Sequence, residues 1–257
     1  MDSSSTPAPR PPGAFESALD LHRRRQVIRT LSTGSPELDA LIGRLEPGLF
    51  YLFYGDGGFP DRLLHRLLVE AVKRGRGAVY LVCGNYRRSR TVMDSDLLLS
   101  LIDETGLDVG GALSRIHVIC AFSEKHLIRA PDLLKELLEG AGEFSLVAVQ
   151  QIAKLFYGKH AVRREDPSEF IGVVSKLRTV CSERGVVLAA TGRASGCRRP
   201  VPGPEGGSFL RHAASAIVYL REPPGGFLSA YLLKHPDRAH TGKLVHFGGG
   251  RGPIWAE

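Results

Sequence analysis

Residues 52–68 read LFYGDGGFPDRLLHRLL: an apolar run, a glycine-rich turn, and an apolar-striped segment expected to be helical from about Arg62. Strand, glycine turn and helix in that order make a phosphate loop. Its backbone N–H groups point at phosphate, while a lysine and a hydroxyl residue hold phosphate and Mg2+. Here the context fits and the chemistry does not. With Gly55 as the first glycine of GxxxxGK[ST], Pro60 falls on the second glycine, Asp61 on the lysine and Arg62 on the hydroxyl residue. Pro60 removes an N–H donor from the cradle, and Asp61 sets a negative charge where another should dock. The plain alternative is a strand-to-helix turn that never held nucleotide.

Two further positions bear on the same chemistry. P-loop ATPases hold Mg2+ with an acidic residue at the end of a later apolar strand. The run FSLVAVQQIAKLFYG carries Gln150 there, and an amide cannot supply that charge. The run VYLVCGNYRR ends in Cys83 and Gly84 where a water-activating glutamate is expected. Three losses argue against hydrolysis, so the chain reads as a pseudo-ATPase with no cofactor. The alternative is a regulator in which Arg62 and the remaining loop N–H groups hold ATP with Mg2+ without hydrolysing it.

The elements that must position these residues alternate along the chain. Near-continuous apolar runs at 49–54, 78–83, 116–121, 145–150 and 186–191 predict strands of a parallel sheet covered on both faces. Between them, 62–74 and 168–183 carry apolar residues at helical spacing. Near the end, 216–222 and 228–234 flank PPGG and predict an antiparallel hairpin, with 243–247 as a last strand. The pattern predicts an α/β fold.

A chain of 257 residues, 43% of them hydrophobic, buries one substantial core. Lys and Arg outnumber Asp and Glu by 34 to 27, a net charge of +7 that suits an acidic partner such as nucleic acid. Of four cysteines, Cys83, Cys120 and Cys181 lie in or beside apolar runs and Cys197 in a basic stretch, with no CxxC spacing. They read as buried free thiols of a reducing compartment. Neither a signal-type apolar segment nor a run of about 18 apolar residues occurs, so a soluble cytoplasmic protein is expected, with no membrane partner. Residues 1–13, mostly Ser, Thr, Pro and Gly, are expected to form a disordered tail.

Taken together, GAFESALDLHRRRQVIRTLSTGSPELDALIG, TGRASGCRRPVPGPEGGSFLRHAASAIVYLRE and LLKHPDRAHTGKLVHF resemble the RadA/RecA-type strand-exchange recombinases, the archaeal and eukaryotic branch in particular. The resemblance spans roughly residues 13–254. It implies a RecA-like core over 31–257, preceded by a linker at 14–30. The family's helix-hairpin-helix DNA domain has no counterpart, which implies a short paralogue working in homologous recombination and repair. Departures from the family pattern fall on Pro60, Asp61, Arg62, Gly84 and Gln150. The expected placement is at the nucleoid, or in the nucleus of a eukaryote.

The resemblance also implies partners. Phe15 and Ala18 match an FxxA motif that inserts into a pocket on a neighbouring recombinase protomer. On the pocket side, His117 and Ile119 stand where the family has small residues. The chain is thus expected to donate the motif to a RadA-type recombinase and not to accept one. Another paralogue is a further candidate partner. Two segments match the family's DNA-facing loops and offer Lys159, Arg163 and Arg164, then Arg193, Arg198 and Arg199, for single-stranded DNA. The bland reading of both is a solvated loop, and a DNA-binding accessory without recombinase contact is the third hypothesis. His212 matches a nucleotide-sensing histidine of the family but is read here as structural; Tyr219 and Trp255 are read as packing residues.

Overall fold

The computed structural model describes residues 17, 29–55, 57–84, 93–140, 142–157, 167–195, 201–222, 228–237 and 242–247. Among them lie eight strands in one sheet: β1 Phe50–Gly55, β2 Gly77–Cys83, β3 Ile116–Ala121, β4 Phe144–Gln150, β5 Val187–Arg193, β6 Ala216–Arg221, β7 Ser229–Lys234 and β8 Leu244–His246. Their order is β3-β2-β4-β5-β1-β6-β7-β8. The pairs from β3 through β6 are parallel, and β6-β7-β8 closes the sheet antiparallel.

The helices are α1 Pro36–Ile42, α2 Phe59–Val72, α3 Ser95–Glu104, α4 Val109–Leu113, α5 Glu124–Gly140, α6 Lys154–Tyr157, α7 Ser168–Glu183 and α8 Gly207–Ala213. They cover both faces because strand residues alternate. Tyr51 and Phe53 of β1 point into a core shared with α1, α2 and α3, whereas Phe50, Leu52 and Tyr54 join α5, α7 and α8. In α2 the predicted stripe is buried: Leu63, Leu64, Leu67, Leu68, Ala71 and Val72 are each at most 1% exposed. Each of those leucines contributes roughly 1.5–3 kcal/mol of burial free energy. The observed architecture is a RecA-like α/β core, as expected, with all eight strands at the expected places.

Two expectations need correction. Helix α2 begins at Phe59, not near Arg62. Pro60 therefore sits in its first turn, where an N–H has no intrahelical partner to lose and a fixed φ is preorganised. Strand β3 is also not covered on both faces. It is the sheet edge, and Val118 is 45% exposed. Cys120, on the same face, is an exposed thiol, whereas Cys83 and Cys181 are buried.

No helix among the described residues is long and apolar enough to cross a membrane.

Candidate functional site

The parallel strands end on one rim, where β1 ends at Gly55 and the loop leads into α2 at Phe59. Gly55 pairs with Arg193 of β5 on one side and Leu220 of β6 on the other. A Cβ on Gly55 would stand 1.9 Å from the Leu220 carbonyl oxygen, so only glycine lets the strands close. Gly57 has φ +79°, the left-handed region that glycine enters without strain. The loop thus keeps the backbone shape of a strand-to-helix turn.

Its side chains are held by residues of the neighbouring strands. Asp61, in the first turn of α2, faces the ends of β4 and β5. Thr191 donates its hydroxyl to Oδ1 at 2.6 Å, and Gln151 Nε2 donates to both carboxylate oxygens at 3.1 and 3.0 Å. Gln150 Nε2 adds a longer contact at 3.3 Å, while its Oε1 accepts from the Tyr80 hydroxyl at 2.9 Å. Gln150 and Gln151 are both buried. Gln151 is the one non-glycine residue among those described with positive φ, 53°. That conformation turns its side chain back onto Asp61, with the Gln151 N–H given to Thr191 Oγ1 at 2.9 Å. Gln151 Oε1 is buried with no hydrogen-bond partner among the described residues.

His65, one turn along α2, extends the network. Its Nδ1 lies 2.7 Å from the Asp61 carbonyl and its Nε2 accepts from the Asp94 N–H at 3.1 Å. Those partners require the neutral tautomer with the proton on Nδ1, donated to the carbonyl. Burial lowers the His65 pKa from its ordinary value, opposed by the Asp61 carbonyl and the Asp94 and Asp61 charges.

On the β6 side of the loop, Arg62 forms a charge-assisted ion pair with Glu222. The guanidinium also lies 5.9 Å from the Phe59 ring centroid. A Cβ on Gly57 would stand 2.7 Å from Glu222 Oε2. The carboxylate therefore rests against the loop.

Of the positions singled out in the sequence, Gly55, Pro60, Asp61, Arg62 and Gln150 converge on this rim. Gly84 is buried beyond β2, its N–H bonded to the Ala121 carbonyl at 3.0 Å. Arg193 is exposed at the end of β5, and its carbonyl accepts from the Glu205 N–H at 2.8 Å. Lys154 stands nearby, with its pKa lowered by burial and then by Arg193. Burial raises the pKa of Glu205, with Arg193 and Lys154 opposing. Phe15, Ala18, Lys159, Arg163, Arg164, Arg198, Arg199, Cys197 and Trp255 lie outside the described residues.

On β3, His117 and Ile119 are half-buried. The His117 ring packs on Phe144 with centroids 5.3 Å apart, and Ile119 packs against the α5–α7 core. His212 is exposed on α8 and lines a cleft of about 530 Å3 with Tyr54, Arg211 and Lys234. Its carbonyl accepts from Lys234 Nζ at 3.1 Å. Tyr219 is buried between Tyr54 and Tyr231. Sequence reading missed Gln151, Thr191 and Glu222. The doubled amide QQ at the end of the β4 run was the available signal for Gln151. Thr191 and Glu222 lie 130 and 160 residues away from their partners in the chain, and nothing local marks them.

The fold is a RecA-like α/β core, and in the first turn of α2 Asp61 is held by Thr191, Gln151 and Gln150. The chain is 26% identical to the DNA repair and recombination protein RadA of Methanoculleus marisnigri over 257 aligned residues, covering 88% of this chain and 75% of that protein. The match supports a relationship to the RecA/RadA family. No family model matches the chain.

Proposed function

We propose that this chain is a non-hydrolysing RecA-fold paralogue that acts in DNA repair and recombination, modulating the assembly of a RadA-type recombinase. It binds the recombinase through Phe15 and Ala18 in a linker at 14–30, and single-stranded DNA through Lys159, Arg163, Arg164, Arg193, Arg198 and Arg199. The similarity to RadA supports the recombination role.

The observation that carries the pseudo-ATPase half is Asp61, held by Thr191, Gln151 and Gln150 at the lysine position of the loop. These residues do not fit a magnesium nucleotide. A triphosphate needs a cation where Asp61 stands and an acidic metal partner where the Gln150 amide stands, and Glu222 adds a second carboxylate beside the loop.

The donor-only reading rests on the resemblance, which puts His117 and Ile119 where the family has small residues; both side chains are half-buried on β3.

Phosphate release from the purified protein, alone and with single-stranded DNA, tests the first half; the expected rate is that of a no-enzyme control, and robust turnover overturns it. Capture of RadA-type recombinase by the wild type and by Phe15→Ala tests the second. The variant should lose capture, and undiminished capture removes Phe15 from the mechanism.

A further inference from the structure

We infer that Glu222 is the loop's built-in ligand, a carboxylate supplied by the chain itself that occupies the anion position beside Gly57 and Arg62 and keeps polyphosphates out. This rests on the proposed non-hydrolysing reading and goes one step past it, because it names what closes the β6 side of the loop.

The strand register delivers the carboxylate. β1 and β6 run parallel with Gly55 opposite Leu220, and Gly57 and Glu222 each lie two residues past that pair. The predicted contact is present: Glu222 Oε2 sits where a Cβ of residue 57 would have to go, 2.7 Å away, and its other oxygen meets the Arg62 guanidinium. Arg62 is itself drawn over the turn, with Nη1 at 3.1 Å from where a Cβ of Gly58 would stand. Gly57, with positive φ, leads into the start of a fourteen-residue helix, and the free N–H groups of a helix start suit an anion. Arg62 adds a guanidinium suited to phosphate or carboxylate alike.

Asp61 does not do this job. Its carboxylate is turned toward β4 and β5 and taken by Thr191 and Gln151, whereas Glu222 and Arg62 stand on the β6 side. The loop is therefore flanked by two carboxylates with separate partners. Asp61 replaces the lost lysine and knits the core; Glu222 replaces the lost ligand. Arg62 and Glu222 remain 26% and 28% exposed, so the pair sits at the rim where a solution anion can compete for it.

The test uses inorganic pyrophosphate, which carries the phosphate chemistry without a base, on the full chain. Binding is read by calorimetry and by thermal shift for the wild type, Glu222→Gln, Glu222→Ala and Glu222→Ala combined with Arg62→Ala. Removal of the carboxylate should tighten pyrophosphate binding about tenfold or more over the wild type, and the added Arg62→Ala should abolish the gain. Glu222→Gln keeps the side-chain size and removes only the charge, so it guards against a folding artefact. No gain in a Glu222→Gln protein that melts within a few degrees of the wild type overturns the inference. So does wild-type binding as tight as that of the variants. Phosphate release by the wild type would instead overturn the pseudo-ATPase reading, so the two failures are separable.

Discussion

Thr191 at the end of β5 donates its hydroxyl to Asp61 in the first turn of α2 at 2.6 Å, across 130 residues of chain. The bond joins the strand rim to the start of α2. The neighbouring donors from Gln150 and Gln151 make Asp61 the acceptor of a small buried network. Removing an acceptor from such a network leaves its donors unsatisfied, which costs more than the bond itself contributes. Asp61→Ala should therefore lose about 2–3 kcal/mol of stability in urea denaturation. Asp61→Asn, which keeps an acceptor oxygen, should lose less. Asp61→Lys should not produce phosphate release, because the position matching the metal-holding carboxylate is still Gln150.

The loop glycines separate steric from intrinsic effects. Gly55→Ala drives a Cβ to 1.9 Å from the Leu220 carbonyl and must part β1 from β6, so a loss of about 3 kcal/mol or more is expected. Gly172, inside α7, has nothing within 4 Å of its added Cβ. Gly172→Ala should stabilise the protein by roughly 0.5–1 kcal/mol, the helix-propensity difference. Thermal melts of the two variants should move in opposite directions.

His65 makes stability depend on pH. Its folded pKa lies below the ordinary 6.5 because the buried imidazole is held neutral. Between the folded value and 6.5 the unfolded chain binds a proton that the native chain does not, so unfolding is favoured as pH falls. The His65 contribution is complete above 6.5 and is lost on descending through the folded pKa. Denaturant curves at about pH 7.5 and about pH 5.5 should show the wild type losing stability at the lower pH, and His65→Gln should shrink that difference. An unchanged difference would assign the pH effect elsewhere.

The basic residues proposed for DNA make an electrostatic prediction. Affinity for an oligonucleotide should fall linearly on a log–log plot against salt, independent of sequence. Arg193→Ala should reduce that slope by about one phosphate contact without altering sequence preference. Salt-insensitive binding would remove these residues from the interface.

What could be read before folding was the pattern that local chemistry imposes. Apolar runs predicted strands, and helical stripes predicted α2 and α7. These inferences survive because strand and helix periodicity are properties of a short stretch of chain. The burial of Cys120 was misjudged for the complementary reason. Its run is as apolar as the others, and only the sheet order makes β3 an edge.

The partners of Asp61 and Arg62 belonged to tertiary structure alone. Thr191 and Glu222 reach them because β5 and β6 flank β1 in parallel register, an arrangement fixed by long-range strand pairing. Sequence thus determined which charges stand in the loop. The sheet decided which side chains answer them, because a register aligns residues far apart in the chain that no local rule connects.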